Sequence, residues 1–174
     1  MTQERSSILE IALIKSFSSK AWRNADTFER IEESLKEKWT VSSIATRDPQ
    51  ELHEFLIHLK ENSSEGVFVF NISEYLDEDK KEGFIPALLD EWGFPHLGSK
   101  AEVIENGLDK EKTKMILIEN HIPTPRFFIA TTTDGDYSDQ AEGIGYPLFV
   151  KPLNEGGHIG ISDNSIVHNS VDLH

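Results

Sequence analysis

Apolar and polar positions come in alternating blocks through the first hundred residues. Ile8 to Ile14 is an apolar run broken only by Glu10, which predicts a strand. Asp26 offers a helix N-cap, and Phe28, Ile31, Leu35 and Trp39 follow at helical spacing. Val41 to Ala45 predicts a second strand. Asp48-Pro49 joins a cap residue to a first-turn proline, after which Leu52, Phe55, Leu56 and Leu59 share one helical face. Gly66 to Phe70 is nearly all apolar, as a strand covered on both faces would be. Ile85, Leu88, Leu89 and Trp92 predict a helix that Gly93 ends. Pro95 to Leu97 is a short extended piece, broken by Gly98-Ser99. Strand and helix take turns, the pattern of a parallel α/β sheet.

Beyond Lys100 the pattern changes, so a domain boundary is placed at residues 98–100. Ala101 to Gly107 and Asp109 to Asn120 read as helices, and Pro123 and Pro125 stop the second. Phe127 to Thr131 predicts a strand, and Asp134 to Glu142 a polar loop with room for a turn of helix. Pro147 to Val150 and Ile159 to Ile161 predict two further strands around a glycine-rich turn. Ser170 to His174 resembles a cap and first helical turn with no helix after it, which is the expectation for a fragment of a longer protein.

Charge and cysteine content narrow the function. The 174 residues carry a formal net charge of -14, with the acid excess in both halves. Such a surface repels nucleic acid and anionic lipid, so neither is an expected partner. There is no cysteine, which removes a disulfide framework, a cysteine nucleophile and a zinc–thiolate site. Neither a signal-peptide core nor an apolar run of spanning length is present, and the expected location is cytoplasmic.

The densest chemistry lies in Tyr146-Pro147-Leu148-Phe149-Val150-Lys151-Pro152 and the following Asn154-Glu155-Gly156-Gly157-His158-Ile159-Gly160-Ile161. It reads as a buried strand ending in a lysine, then a glycine turn. A lysine at a strand end can hold phosphate as a point charge. Adjacent glycines can aim successive N–H groups at an anion. No G-x-x-x-x-G-K-[ST] pattern occurs, so this is no Walker loop. The loop after the first strand, Lys15 to Lys20, has no glycine and makes a poor dinucleotide turn. Asp109-Lys110-Glu111-Lys112-Thr113-Lys114 places lysines at a helix start, where they oppose the macrodipole and a bound anion would relieve the conflict. Taken singly, that helix start reads first as a solvated charged face, Lys151 as an alternative exposed edge lysine, the Gly156-Gly157 pair as a plain hairpin turn, and His158 either as a phosphate contact or oxyanion stabiliser or as an exposed turn residue. Phe68, Phe70, Trp92 and Phe149 read as core. The histidines show no metal-ligand spacing with carboxylates.

The order of these pieces resembles the ATP-grasp superfamily, and within it the D-alanine–D-alanine ligases and ligase-like proteins. The resemblance rests on Phe70 to Glu74, Phe84 to Leu89, Gly93 to Ser99, Leu108-Asp109-Lys110, Thr113-Lys114, Ile122 to Pro125, Pro147 to Pro152 and Glu155 to Ile161. It is dense from about Phe70 to Ser162 and thin before that. It implies an α/β fold: a pre-ATP-grasp, Rossmann-like parallel sheet over residues 1–98, then the first, incomplete α+β part of an ATP-grasp domain over 99–174. It also implies that Lys110 and Lys151 contact ATP phosphates, and that Glu155, Gly156, Gly157, His158, Ile159 and Gly160 form the mobile loop over the triphosphate. Members of the family use ATP and magnesium to activate a carboxylate as an acyl phosphate, which an amine then attacks.

The implied partners are therefore ATP and a small amino-acid-like carboxylate and amine, with a homodimer as a further option. Magnesium ligands are expected beyond residue 174, and the fragment alone is expected to be inactive. The chain departs from the family on the amino-acid side. Where the family has a glycine-rich first loop and a His-Gly motif after the third strand, this chain has Lys15 to Lys20 and Asn71 to Glu74, and it lacks serines at Gly157 and His158. The resemblance therefore does not carry D-alanine over as substrate. The alternative is a stand-alone, non-catalytic binding or regulatory module built on the same α/β domain.

Overall fold

The computed structural model describes residues 9–173; Ile8, assigned above to the first strand, and His174 lie outside the described residues. The chain divides into two compact units between Glu102 and Val103.

The first unit is α/β. Strands β1 (Glu10–Ile14), β2 (Thr40–Ile44) and β3 (Val67–Phe70) form a parallel sheet in the order β2-β1-β3. Ile11 pairs with Val41 on one side and Phe68 on the other. β1 is central and buried from Ile11 to Ile14, which is why its apolar run is almost unbroken. Pro95 to Leu97 extends the sheet: Val69 donates to Pro95 O at 2.9 Å, and Leu97 donates to Val69 O at 2.9 Å. The core joins Ala12, Ile14 and Val69 of the sheet to Leu52 and Leu56 of helix α2 (Pro49–Asn62), and to Ile85 and Leu89 of helix α3 (Ile85–Trp92).

The local signals act as their chemistry requires. Asp48 caps α2, accepting from Gln50 N at 2.9 Å, with Pro49 in the first turn. Gly93 ends α3 at φ +69°, a left-handed cap that glycine adopts without strain. Helix α1 (Ala25–Lys36) corrects the sequence reading at both ends. Its cap is Asn24, which accepts from Thr27 N at 2.9 Å, and Asp26 falls in the first turn. Lys38 and Trp39 both donate to Leu35 O; this reversal feeds β2 and takes Trp39 off the helix, leaving it 41% exposed.

A hairpin that periodicity does not reveal, β4 (Tyr75–Asp77) with β5 (Glu82–Phe84), pairs antiparallel. It is stapled to the loop after β1, where Phe17 donates to Leu76 O at 2.8 Å and accepts from Glu78 N at 2.9 Å.

The second unit contains helices α4 (Ala101–Leu108, which begins just before the division), α5 (Lys110–Glu119) and α6 (Ser138–Ile144), and the two-residue strands β6 (Leu148–Phe149) and β7 (Ile166–Val167). Asp109 caps α5, accepting from Lys112 N at 3.0 Å. Three sequence expectations change here. Phe127 to Thr131 forms no strand, because the amides of Thr131 and Thr132 bond the Tyr137 hydroxyl oxygen at 2.9 and 3.0 Å instead of a ladder. Ile159 to Ile161 forms no strand either; the partner of β6 is β7, with Phe149 opposite Ile166. The strand leading to Lys151 is not buried. Phe149 is 54% exposed and belongs to no core, since a two-stranded ladder leaves one face uncovered among the described residues.

Candidate functional site

The second unit brings together what the sequence separates by forty residues. Lys110 is the first residue of α5. Its backbone N–H donates to Leu153 O at 3.2 Å, and its ammonium donates to Leu153 O at 3.1 Å and Glu155 O at 2.5 Å. The helix start is thus clasped onto the segment that enters the glycine turn. Burial holds the Lys110 ammonium below the ordinary lysine range, and the charge of Lys151 pushes the same way, while Glu155 and Asp109 oppose both. Two like charges near each other, one of them half-buried, form a site that gains from an anion.

The other residues of the α5 start sort themselves. Lys112 and Glu111 are exposed. Lys114 Nζ donates to Thr124 Oγ1 and Pro125 O, both at 2.9 Å, and lies 4.8 Å from the Phe127 ring centroid. Lys114 therefore holds the proline segment after the helix. Lys151, at the end of the β6 segment, is exposed.

Gly156 to Ile161 is two successive turns. Ile159 donates to Gly156 O at 3.2 Å and Ile161 to His158 O at 3.1 Å. Gly157, His158 and Gly160 have φ of +61°, +65° and +73°. At Gly160 a Cβ would lie 2.6 Å from Pro152 Cγ, so this glycine lets the turn fold back on Pro152. His158 accepts the left-handed conformation without that freedom and is exposed.

In the first unit the loop after β1 lines a cleft of about 690 Å³ with Lys15, Phe17, Arg23, Phe28 and Glu32. Glu32 pairs with Lys15 at 2.5 Å and Lys36 at 2.7 Å. The Lys15 hydrogen bond, then that of Lys36, holds its carboxyl down to about 2. Sequence reading takes Lys15 to Lys20 only as a poor dinucleotide turn and gives Glu32 and Lys36 no role; their spacing of four on α1 is the one signal that could have drawn attention. No group of three or more potential metal-ligating side chains occurs among the described residues. No helix among them is long and apolar enough to cross a membrane.

No protein-family model matches the chain. Sequence comparison finds D-alanine–D-alanine ligases among the similar proteins. The chain is 35% identical over 80 residues to the D-alanine–D-alanine ligase of Azoarcus sp. (strain BH72), covering 46% of this chain and 26% of that protein. Against the D-alanine–D-alanine ligase of Chromohalobacter salexigens the figures are 36% over 84 residues, 48% and 26%. Against D-alanine–D-alanine ligase B of Xanthomonas campestris pv. campestris they are 33% over 98 residues, 54% and 30%. About half of this chain is thus similar to D-alanine–D-alanine ligases, and the match spans roughly a quarter to a third of their length.

Proposed function

We propose that the chain is the N-terminal part of an ATP-dependent carboxylate–amine ligase resembling the D-alanine–D-alanine ligases, and that its second unit receives the nucleotide phosphates. One observation carries the reading: the Lys110 ammonium is clasped to the carbonyls that open the glycine turn, beside the charge of Lys151. Lys151 supplies the exposed point charge. The amides of Ile159 and Ile161 serve the turn itself, so a phosphate would meet those of Gly157, His158 and Gly160. Glu155 sets the start of the turn and moderates the like-charge repulsion.

In this reading ATP converts a carboxylate into an acyl phosphate, and an amine displaces the phosphate. The residues present suit phosphate oxygens. They do not suit the magnesium ion, for which no carboxylate cluster exists among the described residues. Its ligands belong to another part of the protein in this reading, and the 174-residue chain alone should release no ADP from ATP.

Calorimetric titration of the full-length protein with a non-hydrolysable ATP analogue tests the assignment. Lys151→Met should weaken binding about ten- to a hundredfold, the worth of one charge-assisted contact. Lys112→Met should bind nearly as the native protein does. Equal losses at both positions would leave only a diffuse basic face.

A further inference from the structure

We propose that the phenolic oxygen of Tyr137 ties the loop of residues 131–137 shut, and that this tie is a pH-sensitive strap which tightens when the phenol ionises. Four potential donors converge on the one oxygen. The backbone N–H groups of Thr131 and Thr132 donate to it at 2.9 and 3.0 Å. The Thr131 and Thr132 hydroxyls lie 3.5 and 3.3 Å away. A neutral phenol has two lone pairs, and the two amides fill them. Its own proton must then go to one of the hydroxyls, so the four groups cannot all donate. A phenolate has a further lone pair and no proton to place. The same cluster can then close on it as a set of charge-assisted hydrogen bonds.

The ring is held where this can happen. It stacks on Phe128 with centroids 5.8 Å apart and planes at 23°. It also lies against Gly135, where a Cβ would come within 2.7 Å of the ring. The Tyr137 carbonyl accepts from Ala141 N at 3.0 Å, so the same residue starts α6. The strap therefore joins the extended segment before the loop to the helix after it.

Charged neighbours do not explain the ionisation. The loop and helix of Tyr137 carry Asp134, Asp136, Asp139 and Glu142, all acidic, and these oppose a phenolate. Asp136 accepts from Ser138 N at 3.0 Å. The facing segment brings Arg126, which is exposed, and Lys114, whose ammonium is bound to Thr124 and Pro125. The Tyr137 hydroxyl is nonetheless held down to about 8 against an ordinary 10, first by the Thr131 hydroxyl and then by the Thr132 hydroxyl and amide. A group depressed in the folded state adds stability that is fully present above about pH 10 and is lost as pH falls through about 8. The strap belongs to the second unit alone and does not depend on its receiving a nucleotide.

Ultraviolet titration of the full 174-residue chain tests it. The chain has three tyrosines, so the phenolate absorbance of the native protein minus that of Tyr137→Phe isolates one. That difference should reach half its amplitude near pH 8. Gly135→Ala keeps the phenol but crowds the ring out of the cluster, and should return the midpoint towards the ordinary value of about 10. Hydrogen exchange at the Thr131 and Thr132 amides gives a second readout. Tyr137→Phe should exchange faster than the native chain, by a factor that grows from pH 7 to pH 9. A difference titration centred near pH 10, or an exchange factor that stays constant over that range, would leave an ordinary tyrosine and overturn the proposal. Should Tyr137→Phe fail to fold, the native titration decides: one of three tyrosines must ionise near pH 8, and its absence there sinks the strap.

Discussion

Lys110→Met is the most informative perturbation of the second unit, because its effect can be worked out bond by bond. Methionine keeps the length of the stem and removes the ammonium. Leu153 O retains the Lys110 backbone N–H at 3.2 Å, so it is not orphaned. Glu155 O loses the 2.5 Å donor. A hydrogen bond from a charged donor contributes about 1.5–3 kcal/mol. Against this, the mutation relieves the burial of a charge and its repulsion by Lys151, the two causes that depress the Lys110 pKa. The net loss should be about 1–2 kcal/mol, which opens the glycine turn about ten times more often.

Native-state hydrogen exchange reads this directly. The amides of Ile159 and Ile161, bonded to Gly156 O and His158 O, should exchange about tenfold faster in the variant without nucleotide. Lys151→Met should leave them unchanged or slightly slower, since it removes the opposing charge. If Lys110→Met leaves exchange untouched, or if Lys151→Met accelerates it more, the clasp does not hold the turn.

Two further outcomes follow from the same geometry. Glu32, whose carboxyl is held down to about 2 against an ordinary 4.5, contributes stability that is fully present above about pH 4.5 and lost as pH falls through about 2. Because Lys36 is 53% exposed, solvent screening limits the contribution to about 1 kcal/mol; urea midpoints of the native chain and Glu32→Gln should differ at pH 7 and converge as pH falls from 5 towards 2. Gly160→Ala should destabilise the second unit by roughly 1–3 kcal/mol, from its φ of +73° and the 2.6 Å approach to Pro152; Gly157→Ala, at φ +61° with nothing within 4 Å, should cost less, and the reverse ranking in a melting experiment would contradict the packing of the turn.

Legibility in the sequence follows the strength of local signals. The run Gly66 to Phe70, the pair Asp48-Pro49 and the stop at Gly93 each act within a few residues, and each produces its element. The β4–β5 hairpin stays hidden because its strands have three residues each, too few to show a period. Asp77 and Glu78 look like surface residues, yet both are buried, because Arg47 and Arg23 reach them from distant parts of the chain. Ile159 to Ile161 reads as a strand from its side chains alone; the left-handed backbone at Gly157, His158 and Gly160 curls it into turns. At the candidate site, the composition of the turn and the lysines is visible in the sequence. The clasp is not, since its acceptors are backbone carbonyls, which every residue possesses.

The Lys110 clasp also fixes an order of events in folding. It joins residues 45 apart. Closing a flexible loop of that length costs roughly 3 kcal/mol of chain entropy, more than the clasp returns. The contact therefore cannot nucleate its unit; other contacts must first bring the ends together. The Lys114 grip on Thr124, only ten residues away, faces a closure cost smaller by about 1 kcal/mol and can form earlier. The glycine turn is then among the last parts of its unit to become ordered and the first to be released when the unit is strained. Its exchange rate serves as a gauge of whether everything around it has folded.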